Sequence, residues 1–476
     1  MSNKENYFEE SEFKENLNRF ENAQDSGESI FLDSDTYADI AEYYLHLGQT
    51  QKASQVIEQG LASFPNSTSL WISKARIVLT TEHNIQQAYH CLNQVEDTSN
   101  LEYTYMLAEI MLEDDQIVEA KELLNHKFEE LETEDQQDFL FDTASLFADY
   151  EMFDEAKTWF DQIEISDESE YKELKARILS GAGDYNESEK LLEELIDEDP
   201  FSTEYWNNLA ALQLSKNEFN KSISSSEYSM AINPNDEEAV LNKGNGLFCL
   251  GNYQEALRYY KLFSKLSPND ASGEMLQGTA LIHLNRPEEA LDLLKKAEQK
   301  SKDYPANLSE IYQEIAFTLS RLGHLDQALD YVLKKGQLPN DNMCDTLLLK
   351  GHILLENDQL EQAETSFQEA VRQSNNSPDT FLQIAISVYD CGYLEQAYKL
   401  FKAFFSSCDE KNIDGYSYMA ICCKELGKSD EYLENAKKAC NLNPIEAKMV
   451  MGSLFPPDLN PDNYYEYLKE QSSKQK

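Results

Sequence analysis

Basic residues are few in this 476-residue chain: 40 Lys and Arg stand against 88 Asp and Glu, a formal charge of -48. A polyanion of that strength repels phosphate backbones and anionic lipid headgroups, so neither nucleic acid nor a membrane is expected as a partner. Glycine (17) and proline (12) are also scarce, which speaks against a turn-rich β fold and for helices. No stretch approaches 18 consecutive apolar residues, and the opening MSNKENYFEESEF lacks the basic start and apolar run of a secretory leader. A cytoplasmic protein is expected. The eight cysteines include no Cys-x-x-Cys pair, and Cys422 and Cys423 are sequence neighbours. Reduced thiols on helices are expected rather than a disulfide framework or a zinc site.

Motifs that carry chemistry are equally sparse. The seven histidines are dispersed, with no His-Glu-x-x-His and no glycine loop to cradle phosphate. His46, His283 and His352 lie far apart in sequence and read as surface residues. In a chain this rich in carboxylates, any acidic pair arises by chance. No catalytic residue, metal site or cofactor is expected.

What the chain does have is one phrase repeated: GDYNESEKLL from 183, GNYQEALRYY from 251, GHLDQALDYV from 323 and GYLEQAYKLF from 392. A small residue recurs at Ala41, Ala75, Ala108, Ala144, Ala176, Ala210, Gly244, Gly278, Ala316, Gly351, Ala385 and Ala420, in steps of 32 to 38 residues. A second set, mostly small, follows at Ala53, Ala88, Ala120, Ala156, Ser188, Ser222, Ala256, Ala290, Ala328, Ala363 and Ala397, with Tyr432 the exception. Two helices approach closely only where neither carries bulk at the crossing, so each pair of small residues marks a helix pair. Larger apolar residues flank them at helical spacing: Val240 and Leu247 about Gly244, and Tyr253, Tyr260 and Phe263 about Ala256. Prolines at 65, 200, 234, 268 and 444 punctuate the repeats at a common place, where a helix must end.

This pattern resembles the tetratricopeptide repeat over roughly residues 34 to 446: a helix-turn-helix with small residues at positions 8 and 20, an aromatic near 24 and proline at 32. The sixth and seventh repeats match best, through Trp206, Ala210 and Pro234, then Gly244, Tyr253, Ala256, Tyr260 and Pro268. Departures are Tyr432 and Ala436 in the last repeat, an extra residue near Glu82, and about four extra between Ser301 and Asn307, where Pro305 reads as loop. The resemblance implies an all-α, right-handed superhelical solenoid of about twelve repeats, with first helices lining the concave side. It implies a non-enzymatic adaptor or scaffold that binds a protein or peptide. A peptide-sensing regulator, or a constitutive accessory subunit of an enzyme complex, are the alternatives. Oligomeric state and partner identity are not legible.

Residues 1–33 read as an acidic segment with one amphipathic helix, carrying Phe13, Leu17 and Phe20, that caps the array or docks a partner. Residues 447–476 read as a capping helix, through Met449, Val450, Leu454 and Phe455, followed by PPDLNP and a loose NYYEYLKEQ tail. The resemblance directs positions 2, 5, 6, 9, 12 and 13 of each repeat to the groove, where only Arg76, Arg177, Arg321 and Lys424 are basic against 21 acids. Ten of those acids stand at position 2, in the first helical turn, where the helix dipole favours a carboxylate whatever the ligand. A local excess remains in Asp39, Glu42, Glu109, Glu113, Asp142 and Asp149, an acidic groove suited to basic segments. The expected peptide site is Asn207, Asn208, Asn242 and Asn245 beside Phe248, Met275 and Leu276. Asparagine amides donate and accept at once, so a row of them can hold an extended backbone. Ser272 and Leu276 stand where a chaperone-tail clamp needs bases, so that ligand is not expected.

Overall fold

The computed structural model describes residues 7–474 except 9–10, 27–29, 83, 165, 167, 302–304, 339–340, 408–412 and 457–458. The described residues form 27 α-helices and no strand. They pair as the small-residue pattern requires: in repeat 7, for example, Glu237–Cys249 packs on Tyr253–Leu266. Gly244 and Ala256 are both buried in that pair. A Cβ on Gly244 would stand 2.7 Å from Cε1 of Tyr260, so the ring occupies the space a side chain would need. Gly278 and Gly351 face Leu294 and Phe367 in the same way, at 2.8 and 2.3 Å.

The turn inside each repeat has one construction. Position 15 adopts the left-handed conformation at Gly48, Asp115, Glu151, Gly183, Asn217, Gly251, Asn285, Gly323, Asp358, Gly392 and Gly427, eleven of the twelve repeats. The next N–H then reaches back to close the helix end, as Asn252 does to Leu247 (2.9 Å) and Gln359 to Leu354 (2.8 Å). This satisfies a carbonyl the ended helix would leave unpaired. Some first helices are started by side-chain caps, Asp33 on Thr36 (2.8 Å) and Asp236 on Ala239 (2.9 Å) among them.

The chain divides into two compact bodies, Met1–Pro200 and Phe201–Lys476, where the sequence reads as one array over 34–446. Within each body the core is a series of adjoining apolar clusters, one seam passing into the next. First helices of successive repeats commonly pack on one another, whereas the described second helices of repeats 1 to 12 do not do so to the same extent. Where they do so, first helices stand on the inner side of the local bend.

At the amino end, Ser11–Ser26 lays Phe13 and Phe20, 2% and 3% exposed, into the cluster of Tyr37, Ile40 and Ile57. At the carboxyl end the structure corrects the expected loose tail. Tyr464–Lys474 is a helix packed on Ser429–Leu442, with Tyr464 and Leu468 buried and Phe455 stacked on Tyr464 at 4.1 Å. Apolar residues four apart give even this short segment a face to bury. Pro305 is likewise the first residue of the helix Pro305–Arg321 rather than loop, as proline's fixed φ suits a helix start. The extra residue near Glu82 and much of the insertion after Ser301 lie outside the described residues. Lys448 makes a contact across many repeats of the second body: its ammonium donates to the Asn217 carbonyl (3.3 Å) and lies 5.7 Å from the Phe219 ring centre.

Candidate functional site

The inner face of repeats 6 to 8 holds the expected asparagines on Thr203–Ser215 and Glu237–Cys249. Two of the four join repeats 6 and 7, and a third ties the two helices of repeat 7 together. Asn207 is 3% exposed and donates to Asp236 (3.0 Å), the cap of the next first helix. Its amide also reaches Glu238, whose carboxyl burial pushes up and Asn207 pulls down. The Asn207 side-chain oxygen is buried without a partner. Asn242 donates to the Asn207 carbonyl (3.4 Å), and Asn245 accepts from the Tyr260 hydroxyl (3.0 Å). Asn208 is exposed. Phe248, Met275 and Leu276 are half-buried, and Phe248 lies edge-on to Tyr253 and His283, each 5.1 Å away. Asn207 is thus turned inward and Asn208 open to solvent.

The six acids of the amino-terminal groove are spread over Ser34–His46, Leu101–Glu113 and Thr133–Asp149, and most have internal partners. Arg76 bridges Glu42 (3.5 Å) and Glu109 (3.7 Å), which stand at the same position of the repeats on either side. Arg177 holds Asp149 at 2.7 Å. Asp39 accepts from the Tyr7 hydroxyl (2.6 Å), and burial pushes its carboxyl up. Asp142 lies beside the Tyr105 hydroxyl, whose ionisation burial and that carboxylate oppose. Glu113 is exposed at the end of its helix.

A second inner surface, in repeats 9 to 12, was not legible as a site in the sequence. Position 9 of these repeats carries Phe317, His352, Ile386 and Ile421, all half-buried, and the Phe317 ring meets His352 edge-on at 5.3 Å. Burial pushes the His352 imidazole down, against the pull of Glu356 and Asp390, so this histidine is not the surface residue expected. Beside the strip, Glu356, Asp390 and Glu425 are the final residues of Met343–Glu356, Pro378–Asp390 and Tyr416–Glu425. A carboxylate at a helix carboxyl terminus faces the negative end of the dipole and is disfavoured there by about 0.3–1 kcal/mol. Cross-repeat hydroxyls hold two of them: Ser320 donates to Glu356, and Tyr389 to Glu425 (3.0 Å). Burial pushes the Asp390 carboxyl up, with His352 opposing. An open recess of about 480 Å³ adjoins the strip, lined by Ile282, Asn285, Pro287, Ser320, Arg321 and Glu356.

Among the described residues no group of three or more His, Cys, Asp or Glu is placed to hold a metal ion, and no helix is long and apolar enough to cross a membrane. The described cysteines are free thiols. Burial pushes Cys391 and Cys423 up to about 12, which leaves them protonated and unreactive near neutral pH.

Family models of the tetratricopeptide repeat match residues 174–236, 241–305 and 345–377. Among solved structures, the chain is similar to the APC/C hetero-tetramer Cut9-Hcn1 at 14% identity and a TM-score of 0.36, over 89% of this chain and 90% of that one. It is similar to TTC0263, a thermophilic TPR protein of Thermus thermophilus, at 21% identity and a TM-score of 0.35, over 40% of this chain and 100% of that one. The likeness to MamA from Desulfovibrio magneticus RS-1 is 18% identity at a TM-score of 0.32, over 37% of this chain and 97% of that one.

Proposed function

We propose that this chain, a tetratricopeptide-repeat protein, is a non-enzymatic scaffold or adaptor that holds a protein or peptide partner along the inner face of its first helices. The observation that carries the reading is the periodic inner surface. First helices stand side by side, and equivalent positions present half-exposed side chains such as Asn245, Phe317, Ile386 and Ile421, one from each repeat. An extended chain laid across them meets a fresh side chain at every helix, so contacts accumulate with length. Asn208 and Asn245 supply amide groups and Phe248 an apolar wall, a mixture suited to a peptide backbone and one of its side chains.

The test takes a partner captured on the intact chain and measures its affinity for Asn208→Ala plus Asn245→Ala against Asn252→Ala in the turn. Helicity and melting are checked for each variant. Loss confined to the groove variant supports the reading. A partner indifferent to it, and to the substitutions in repeats 10 to 12 described next, is held elsewhere and overturns it.

A further inference from the structure

We propose that the inner face of repeats 9 to 12 receives an extended segment of a partner protein that carries Lys or Arg at about every third residue, with apolar side chains between them. The inference rests on the scaffold reading above and names the partner's chemistry. Phe317, Ile386 and Ile421 form a half-buried apolar strip with His352, one residue from each repeat. Glu356, Asp390 and Glu425 run beside it on three successive first helices. Each is exposed, and none lies within ion-pair distance of a described cation. That separates them from Glu42, Glu109 and Asp149, whose charges Arg76 and Arg177 already meet.

Their placement sharpens the contrast. Acids at the start of a helix are explained by the dipole, but these three close their helices, where the dipole opposes them and favours a cation. An incoming ammonium or guanidinium would meet the carboxylate at the negative end of the helix dipole. The spacing suits an extended chain: packed helices lie about 8–10 Å apart, and three extended residues span about 10 Å. Arg321, the last residue of its helix in repeat 9, marks where the acidic row stops. Lys424, next to Glu425, has its ammonium 6.0 Å from the Tyr432 ring centre.

The probe is a fluorescein-labelled peptide of five Lys-Val-Ser units, with a Glu-Val-Ser peptide as its counterpart, titrated with the full chain near physiological salt. The Lys peptide is expected to bind and the Glu peptide not. Glu356→Gln, Asp390→Asn and Glu425→Gln together are expected to weaken binding by about tenfold or more, the sum of three modest charge contacts. A control carrying Asp292→Asn, Asp330→Asn and Glu364→Gln, exposed acids on second helices, removes the same charge and is expected to change it less than about twofold. Equal losses in the two variants would assign binding to the bulk charge and overturn the proposal. So would absence of Lys-peptide binding, or equal binding of the Glu peptide. A captured partner that ignores this triple variant but is lost with Asn208→Ala plus Asn245→Ala overturns this inference while leaving the scaffold reading intact.

Discussion

Replacing Gly251 by Ala isolates the backbone term that eleven of the twelve repeats share. Gly251 sits at φ +77° in the turn of repeat 7, and a Cβ added there meets nothing within 4 Å. Steric contact with neighbours is therefore absent, and what remains is conformational. A non-glycine residue in the left-handed region is disfavoured by about 1–2 kcal/mol, partly offset by about 0.4–1 kcal/mol because Ala restricts the unfolded chain. Gly251→Ala is thus expected to destabilise by about 1 kcal/mol. The reverse change gives the mirror-image test: Glu151 holds φ +56° with no glycine's freedom, so Glu151→Gly is expected to stabilise by up to about 1 kcal/mol. Urea unfolding reads both. Trp159, buried in the helix that follows the Glu151 turn, reports the first body, and Trp206 reports the second. If Gly251→Ala is no more harmful than Gln254→Ala on the exposed face, or if Glu151→Gly destabilises, the left-handed turn is not what fixes the repeat geometry.

Gly244→Leu overpacks the crossing occupied by Tyr260 and is expected to destabilise by about 1–3 kcal/mol, with Gln254→Leu nearly silent in the same unfolding assay. Phe20→Ala removes a ring 3% exposed between the first helix and the first repeat; a loss of about 3 kcal/mol is expected from Trp71 fluorescence. Because burial holds His352 below 6.5, the folded state binds fewer protons than the unfolded one just below that value. That contribution is complete above about pH 6.5 and is lost as pH falls. The Trp206 urea midpoint is expected to fall less steeply with pH in His352→Gln, which also sets aside Glu314 and Asp390, whose carboxyls are pushed up and act in the opposite sense. Arg76→Met removes the cation between Glu42 and Glu109 and is expected to cost at most about 1 kcal/mol, with basic peptides then binding the amino-terminal body more tightly at low salt than at high.

The helix pairing was legible because close approach of two helices leaves a mark in side-chain size: Ala256 and Gly244 are small for the reason Tyr260 is large. The shared turn was only half legible. Glycine at 251, 323 and 392 announced it, but Asp115, Glu151 and Asn285 adopt the same left-handed backbone with side chains that give no such signal. The final helix is not legible because a lone segment after PPDLNP shows no partner in sequence, whereas in space Ser429–Leu442 offers one. Charge counting found the amino-terminal acids but not their neutralisation, since Arg76 reaches across two repeats. It passed over Glu356, Asp390 and Glu425 because their meaning lies in helix ends and missing cations, not in their number. Sequence position alone does not show that Asn207 turns inward, where its amide holds Asp236.

The central claim is that partners are held on the inner face of the first helices. Hydrogen exchange of the full chain, measured with and without a captured partner, tests it most directly. Protection is expected on first helices such as Glu237–Cys249, Met343–Glu356 and Pro378–Asp390, with second helices such as Tyr253–Leu266 and Leu360–Gln373 little changed. Protection concentrated on the second helices, with the first helices exchanging as before, would contradict it.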